Sequence, residues 1–419
     1  MSSAAAASTL PPDVDHQLEG LAPAELAVSV PTYNNVATIS QVLEAIRAGL
    51  EKHFADVSAV LINADAGSSD ATVDRFADAG FPLVRATHAA PPAQLATVPF
   101  HGVPGRGAAL RLSVDVARRL GVRALVVLEA DITSIDAEWL ERLLRPVLEH
   151  GADLVMPVHA RHRYDGTITN LVLAPLVNAL YGRRLHQPLA GARALSAPFL
   201  DRLAADQRWP PPGRAMTDLW IEGTAIADGF AVHEARLGQW RVESKTRTTD
   251  LPTMVAQTLG AVFTVMDSYE DLWLPTVTSA PVPTNGAPAA PTGEPVRIDV
   301  ERMVGAFRRG LSDLGTIWEH VLTPETWGDV LSLETDDLVR FRFPDELWAR
   351  AVYDFALGHH HHVVYHDHLL RSFVPLYLGR TAAFVLATRA RDAAAAEAAL
   401  DAAAAAFERQ KRYLVERWR

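Results

Sequence analysis

The stretch RALVVLEAD at residues 123–131 decides the fold prediction. Its residues 124–128 form an unbroken apolar run, which is typical of a strand that is buried on both faces of a parallel sheet. Comparable runs occur at residues 27–31, 57–65, 82–87 and 153–158, and helical patterns separate them. This repeated order of strand and helix predicts an α/β fold with a mostly parallel, doubly wound sheet and helices on both faces.

Helical spacing is clearest after the first strand, and polar residues gather where the strands end. The apolar face of the first helix consists of Ile39, Val42, Leu43, Ile46 and Leu50. Ligands of doubly wound sheets bind beyond the carboxyl ends of the strands. We therefore expect a ligand site at residues 31–35, 65–70 and 129–131.

The domain prediction divides the chain into four segments. We expect a flexible tail over residues 1–24, the α/β domain over 25–274, a Pro/Ala-rich linker over 275–297 and a helical domain over 298–419. The linker prediction depends on PTVTSAPVPTNGAPAAPTGEP, whose composition is typical of linkers and long surface loops. In the last helix Phe407, Leu414 and Trp418 share one face, which indicates packing.

Composition excludes several classes of protein. The chain has 419 residues, a net charge of -11 and no cysteine. This charge leaves no basic field for nucleic acid or an anionic membrane, and the missing cysteines exclude disulfides and thiolate chemistry. No run approaches the roughly 18 apolar residues of a membrane span, and the start MSSAAAAST lacks the features of a secretion signal. We expect a cytoplasmic protein without nucleic-acid or membrane partners, and a homodimer is left open.

Three motifs at the predicted strand ends and helix starts could carry chemistry. Glu129 and Asp131 offer oxygen ligands to Mg²⁺ or Mn²⁺, although a solvated strand end is the simpler explanation of the pair alone. Asp65 could accept hydrogen bonds from a base or ribose, or could merely hold a turn before the next helix. Arg106, between Gly105 and Gly107, places a cation at a helix N-terminus, where phosphate binds well.

A histidine-rich tract lies near the C-terminal end. It comprises Gly358 and the four histidines at 359–362, with His366 and His368 shortly after. Four adjacent imidazoles cannot all face one ion from regular structure. We therefore interpret the tract as an exposed helix junction or loop and not as a metal site.

Five segments together resemble a known family. They are VPTYNN (30–35), DAGSSDAT (65–72), PGRGAAL (104–110), EADIT (129–133) and QPLAGARAL (187–195), in the order found in GT-A-type, Rossmann-like glycosyltransferases. Over residues 27–267 the chain is similar to retaining enzymes that make glucosyl-3-phosphoglycerate, glucosylglycerate or mannosylglycerate. The C-terminal helices resemble the appendage of mannosylglycerate synthase. The resemblance implies UDP-glucose as the first choice of donor, GDP-mannose as the second, and a small hydroxy acid such as glycerate as the acceptor.

The resemblance also implies a role for each matched residue. Those assigned to the nucleotide sugar are Pro31, Tyr33, Asp65, Gly105, Arg106, Gly107, Glu129, Ala130 and Gly191. Leu189 would contact the reaction centre, Glu222 the donor hexose, and Asp131 the Mg²⁺ or Mn²⁺ ion. Thr169 would meet the acceptor carboxylate.

Two departures from the family pattern matter. The family's metal-binding histidine is missing from LGQWRVESK at residues 237–245, so Glu243 could supply the ligand or Lys245 could replace part of the charge. Thr167 stands where phosphoglycerate-using relatives place an arginine, which favours an unphosphorylated acceptor, although Arg161 and Arg163 lie nearby.

Two alternative functions stay open at this point. One is an inverting glycosyltransferase in which Asp218 is the general base. The other is a non-catalytic sugar-nucleotide-binding protein, which the missing metal histidine and the glutamate at position 129 favour.

Overall fold

A computed structural model describes residues 10–96, 102–210, 217–243, 251–290, 298–335 and 337–419. The chain forms two compact units. The first unit consists of Met1–Ala160, Leu189–Thr249 and Pro283–Ala289, and the second of Arg161–Pro188, Asp250–Val282 and Ala290–Arg419. The chain thus passes between the units several times, which differs from the predicted succession of a domain to residue 274, a linker and a domain from residue 298.

Strands and helices alternate through the first unit, and helices dominate the second. The strands of the described residues are β1 (Leu26–Thr32), β2 (Ala59–Asp65), β3 (Leu83–Thr87), β4 (Ala124–Val127), β5 (Leu154–Ala160), β6 (Arg183–Arg184), β7 (Arg193–Ser196), β8 (Val232–Gln239), β9 (Ala280–Pro281) and β10 (Thr284–Asn285). Helices of the first unit are α1 (Pro12–Glu19), α2 (Ile39–His53), α3 (Thr72–Arg75), α4 (Pro92–Ala96), α5 (Arg106–Leu120), α6 (Glu138–Glu149), α8 (Ala197–Ala205) and α9 (Thr217–Ala227), with a 3-10 turn at Phe76–Asp78. The second unit contains a π-helix (Thr169–Leu173), α7 (Ala174–Tyr181), α10 (Leu251–Ser268), α11 (Glu270–Trp273), α12 (Val300–Asp313), α13 (Gly315–Val321), α14 (Pro324–Leu331), α15 (Asp345–His360), α16 (His366–Ser372), α17 (Val374–Thr388) and α18 (Ala393–Trp418).

The first unit is built on a sheet with the strand order β10-β8-β5-β7-β4-β1-β2-β3. Neighbouring strands are parallel except at β7, which runs antiparallel to both β4 and β5. The register pairs Thr32 with Asp65, so β1 and β2 end at the same edge. The predicted α/β fold with a mostly parallel sheet is confirmed, and the antiparallel β7 is an addition to it.

Helices cover both faces of this sheet. The predicted face of α2 is confirmed, because its five apolar residues are all buried in a core that includes Val28 of β1 and apolar residues of α6. On the opposite face, Ser29 of β1 contacts Ser113 of α5 at 2.7 Å between hydroxyl oxygens. Adjacent strand residues point to opposite faces, so Val28 and Ser29 together identify helices on the two sides.

Parts of the predicted tail and linker are ordered in the first unit. Helix α1 lies within the predicted tail, and Gln17 donates to the backbone oxygen of Arg85 at 2.8 Å and accepts from its N–H at 2.9 Å. Within the predicted linker, β10 pairs with β8, and the N–H of Glu234 donates to Pro283. A side-chain amide in the first segment and backbone pairing in the second provide partners that composition cannot reveal. Residues 1–9 and 291–297 lie outside the described residues.

The second unit is helical and has its own apolar core. Phe407, Leu414 and Trp418 of α18 are buried, which confirms the predicted packing face. The Tyr353 hydroxyl of α15 donates to the backbone of Phe407 at 2.7 Å. In the described part of the chain, His366–Thr388 alone is long and apolar enough to cross a membrane, and 78% of its apolar window is buried, as in the core helix of a globular unit.

Candidate active site

The loops that follow β1 and β2 are bonded to each other. The N–H of Asn34 donates to the Ser68 hydroxyl at 2.9 Å, and the N–H of Ser69 donates to the Asn34 side chain at 2.8 Å. Asn34 adopts a φ of 51°, a conformation that asparagine tolerates better than most residues. Pro31 is buried at the end of β1, and the half-buried Tyr33 begins this joined loop. Of the predicted nucleotide-base residues, Pro31 therefore lies in β1 and Tyr33 in the loop that is bonded to the loop after β2.

Asp65 is the last residue of β2, and both oxygens of its carboxylate accept hydrogen bonds from neighbouring groups of the protein. One oxygen accepts from the N–H groups of Gly67 and Ser68 at 2.9 and 2.7 Å. The other accepts from the hydroxyls of Thr32 and Ser68 at 2.7 and 2.6 Å. A carboxylate has about four acceptor positions. Asp65 thus holds the joined strand ends, and its predicted contact with a nucleotide base would require it to release one of these donors.

A buried cluster of charges lies around Asp218 of α9. Arg106, the first residue of α5, donates through its Nε to Asp218 at 3.0 Å and through Nη2 to the oxygen of Gly191 at 2.7 Å. Arg193 of β7 donates to the same carboxylate at 2.5 Å. Burial opposes the positive charge of Arg106, but the carboxylates of Asp218, Glu129 and Asp131 outweigh it and raise the pKa of Arg106. The cation predicted to hold donor phosphates is thus already paired, and a phosphate contact would fall to its Nη1.

Sequence reasoning missed Arg193. It lies within the quoted segment QPLAGARAL and is completely buried. A lone arginine in an otherwise apolar strand was the available signal, because buried arginine needs an acidic partner. That partner is Asp218, 25 positions further along the chain.

Glu222 lies one helical turn after Asp218 and is completely buried. One of its oxygens accepts from the N–H of Leu189 at 3.1 Å, and the other has no hydrogen-bond partner in the described part of the chain. Burial raises the pKa of Glu222 to about 8, and the negative charge of Asp218 adds to this against the attraction of Arg193. Near neutral pH the group is largely protonated and can donate a hydrogen bond.

The loop before β7 contacts α5, α9 and the residues that follow β4. Leu189 has a φ of 68°, a strained conformation for a leucine, and its N–H is directed at Glu222. Gly191 lies against the Glu129 side chain so closely that a Cβ on it would be 1.9 Å from the carboxylate. Only glycine fits there. The structure therefore brings the predicted residues Leu189, Gly191, Glu129, Asp218 and Glu222 together.

The predicted metal ligands lie where β4 leads into a loop. β4 ends at Val127, so Glu129, Ala130 and Asp131 lie in the loop after the strand and not within it. The N–H of Glu243 donates to the backbone oxygen of Asp131 at 2.9 Å, which makes the two residues neighbours. Of the described residues, no group of three ligands surrounds Asp131. Mg²⁺ is usually held by one or two carboxylates together with substrate phosphates, so Asp131 and Glu243 fit that ion, and Lys245 lies outside the described residues.

The glycines before and after Arg106 are required by close approach. Gly105 has a φ of 66° and precedes α5, and a Cβ there would be 2.7 Å from the oxygen of Ala89. A Cβ on Gly107 would be 2.5 Å from the Thr217 hydroxyl. The predicted helix start at residues 105–107 is confirmed.

The predicted acceptor residues belong to the second unit. The Thr167 hydroxyl bonds the Tyr377 hydroxyl at 2.6 Å, and Thr169 begins the π-helix. The Arg161 guanidinium lies beside Gly166, 3.1 Å from where a Cβ would be. Arg163 donates to the backbone oxygen of Arg391 at 2.7 Å, and two further backbone oxygens lie at 3.3 Å. Arg163 thus has a structural role in this unit, and the predicted contact of Arg161 with the acceptor stays a prediction.

Comparison with known proteins gives one kind of match. No protein-family model matches the chain, and no curated protein matches it. Among solved structures, glucosyl-3-phosphoglycerate synthase from Mycobacterium tuberculosis in complex with Mn²⁺, UDP and glucosyl-3-phosphoglycerate is 23% identical, with a TM-score of 0.45 over 61% of this chain and 83% of that one. The same protein with phosphoglyceric acid is 24% identical, with a TM-score of 0.45 over 61% and 83%. Its complex with Mg²⁺ and UDP is 23% identical, with a TM-score of 0.45 over 62% and 83%.

Proposed function

We propose that this chain is a glycosyltransferase that moves a hexose from a nucleotide sugar to a small hydroxy acid such as glycerate. The observation that carries the proposal is the state of Glu222, a completely buried carboxyl group with one oxygen directed by Leu189 and the other without a partner among the described residues. A buried polar atom without a partner is costly, and native sites keep such atoms where a ligand completes them. The five sequence motifs, which follow the order found in GT-A-type glycosyltransferases, are the reason for proposing a sugar nucleotide as that ligand.

In this proposal the free oxygen of Glu222 binds a hydroxyl of the donor hexose. A protonated carboxyl can donate to a sugar hydroxyl as well as accept from it. The raised pKa of about 8 keeps the proton in place near neutral pH. Leu189 and Gly191 border the reacting carbon, and Glu129 faces the ribose or sugar.

Asp131 and Glu243 would hold Mg²⁺ or Mn²⁺, which stabilises the leaving diphosphate when bound. Arg106 adds a fixed positive charge nearby through its remaining Nη1. Thr169 and Arg161 would bind the acceptor carboxylate. The donor of first choice is UDP-glucose, with GDP-mannose second.

The environment of Asp218 favours retention over inversion. A general base must have an oxygen that is available to take a proton. Here Arg106 and Arg193 both donate to this carboxylate, and ionised partners stabilise the form that has already lost its proton. We therefore propose that Asp218 positions the two guanidinium groups and that the product keeps the α configuration of the donor.

A second candidate function is that of a non-catalytic sugar-nucleotide-binding protein. The observation that favours it is the absence of a third metal ligand beside Asp131 and Glu243 in the described residues. Both candidates predict nucleotide-sugar binding, but only the first predicts turnover.

The deciding experiment incubates the full chain with UDP-glucose or GDP-mannose and a panel of small hydroxy acids, with Mg²⁺ or Mn²⁺. Product mass identifies the acceptor, and the anomeric configuration separates retention from inversion. Asp131→Ala should lower kcat/KM by about a hundredfold or more. Asp136→Ala is a matched control, since this exposed aspartate accepts a hydrogen bond from the N–H of Glu138 at 3.0 Å and should matter little. Binding of the nucleotide sugar without any product across the panel would support the second candidate.

A further inference from the structure

The four histidines of the tract at 359–362 have four different surroundings. His359 is buried and stacks on His366 with ring centres 3.9 Å apart, and burial lowers its pKa to about 4. His361 contacts the backbone oxygen of Arg417 at 3.0 Å, and His362 contacts His366 at 2.8 Å. As predicted from the sequence, the four histidines do not gather around one point. His360 is the histidine that contacts acidic groups from other parts of the second unit.

Those acidic groups come from two other helices. Asp267 lies near the end of α10, Glu270 begins α11, and His360 ends α15. The Nδ1 atom of His360 is 2.7 Å from a carboxylate oxygen of Asp267. One ligand atom from each of the three residues lies within 4.8 Å of the others. Three helix ends thus converge on a point surrounded by one nitrogen and two oxygen ligands.

Trp418 of α18 holds two of these side chains in place. The His360 ring stacks on the Trp418 ring with centres 3.9 Å apart. The indole N–H of Trp418 donates to Glu270 at 2.7 Å. Trp418 is itself fixed, because it is buried and meets Trp273 edge to face. Ligands whose orientation is set by neighbouring groups lose less freedom when an ion binds.

The charge of this cluster is not balanced by the protein. A second histidine–carboxylate group in the first unit, formed by His53, Glu138 and Glu141, shows the contrast. There Lys52 pairs with Glu138, and Arg145 pairs with Glu141 at 2.8 Å. Neither Asp267 nor Glu270 pairs with lysine or arginine in the part of the chain that the structure describes. Lysine and arginine therefore balance the carboxylates of the first-unit group. The carboxylates of the second-unit group have no such cation among the described residues.

We propose that Asp267, Glu270 and His360 form a binding site for a divalent transition-metal ion of the Zn²⁺ type. Imidazole and carboxylate together suit Zn²⁺, and three protein ligands leave a fourth position for water. The ion takes the place of the hydrogen between His360 Nδ1 and Asp267, and the neutral imidazole that binds it carries its proton on Nε2. The two carboxylates and the ion leave the site electrically neutral.

The proposed ion would link elements of the second unit. It joins the end of α10, the start of α11 and the end of α15, and Trp418 connects it with the last residues of α18. An ion that binds only the folded protein raises stability in proportion to the logarithm of its concentration over its dissociation constant. Zinc binding should therefore raise the unfolding temperature of the chain.

The test uses the full chain in an Asp131→Ala background, so that the proposed donor site does not contribute. Chelator-treated protein is titrated with ZnCl₂ by calorimetry, and thermal unfolding is followed with and without zinc. One saturable zinc ion per chain is expected, with a rise in unfolding temperature. His360→Ala and Asp267→Asn should each weaken binding by about tenfold or more and remove the thermal shift. Asp267→Asn keeps the side-chain shape at position 267 and leaves His360 to stack on Trp418. This variant therefore remains informative if His360→Ala folds poorly.

Matched controls separate this site from other imidazoles. His361→Ala and His362→Ala change neighbouring members of the tract, and His53→Ala changes the group that contains its own cations. All three should bind zinc as the background protein does. The proposal is overturned if zinc does not bind, if His360→Ala and Asp267→Asn bind normally, or if a control variant loses binding to the same extent.

Discussion

Asp65 and Glu222 are both carboxyl groups buried in the first unit, yet their surroundings are opposite. Asp65 accepts four hydrogen bonds from the strand ends that it joins. Glu222 accepts one, from Leu189, and its other oxygen has no partner among the described residues. Sequence motifs assigned both groups to ligand binding, and the structure separates them by how much of their hydrogen-bonding capacity is already used.

This difference gives a physical criterion for a binding residue. A carboxylate that is filled by donors stabilises the fold, and a ligand must compete with those donors to reach it. A buried carboxyl group with an unpaired oxygen destabilises the ligand-free protein, and a ligand that supplies the missing hydrogen bond removes this cost. We therefore expect substitutions of Asp65 to affect stability first, and substitutions of Glu222 to affect turnover and the dependence of stability on pH.

The largest expected effect is the loss of stability in Asp65→Ala. Removal of the carboxylate leaves two backbone N–H groups and two hydroxyls without their acceptor. We expect a loss of about 3–4 kcal/mol in the free energy of unfolding, measured in urea. Asp74→Ala, an exposed residue of α3, is the matched control and should change stability by less than about 0.5 kcal/mol. A stable Asp65→Ala protein that has lost only nucleotide binding would reverse the comparison.

The next effect concerns Glu222→Gln and pH. Burial raises the pKa of Glu222 from 4.5 to about 8, so between these values the folded protein keeps a proton that the unfolded chain loses. The wild type therefore loses stability relative to the variant as pH rises from about 4.5 to 8, and the difference is constant above and below that window. Between pH 5 and pH 7 the variant should gain roughly 2–3 kcal/mol over the wild type.

Urea unfolding of both proteins at pH 5, 6, 7 and 8 checks this prediction. The difference between the two free energies should move steadily in favour of Glu222→Gln. A constant difference, or one that moves toward the wild type, would show that the carboxyl group is ionised in the folded protein and that the comparison with Asp65 rests on the wrong charge state.

The sequence predicted the framework because that framework depends on local patterns. The buried face of α2 follows from apolar spacing, and the start of α5 follows from glycines on either side of Arg106. β7 was missed because an antiparallel strand of four residues between two parallel ones has no periodic signal of its own. β10 was assigned to a linker because its pairing with β8 joins residues 50 positions apart.

The site was predicted by residue type but not by partner. Position-by-position resemblance selected Arg106, Asp218 and Glu222, and the structure brings them together. It could not indicate that Arg106 and Arg193 share one carboxylate, because the two arginines belong to different elements and meet only in the folded chain. Hydrogen-bond capacity is a property of three-dimensional neighbours, so the distinction between Asp65 and Glu222 required the structure.

The smallest expected effect applies the same criterion to the second unit. Arg163 donates to backbone oxygens near the end of α17, whereas the Thr167 hydroxyl bonds to the Tyr377 hydroxyl. We predict that the wild type uses glycerate with a higher kcat/KM than 3-phosphoglycerate, because a phosphate gains no guanidinium at position 167. Thr167→Arg should shift the ratio of the two kcat/KM values toward the phosphorylated acceptor by about 1 kcal/mol, or roughly fivefold.

Two variants show whether charge at position 167 is the cause. Tyr377→Phe removes the bond to Thr167 without adding charge, so it should leave the acceptor ratio within about twofold of the wild type. Arg163→Ala removes a cation that is already bonded to the protein, so it should lower stability but not change the ratio. If Arg163→Ala instead abolishes use of the phosphorylated acceptor, a guanidinium engaged by backbone oxygens can still bind substrate. The criterion drawn from Asp65 and Glu222 would then hold for carboxylates but not for cations, whose five N–H donors leave positions open even when several are used.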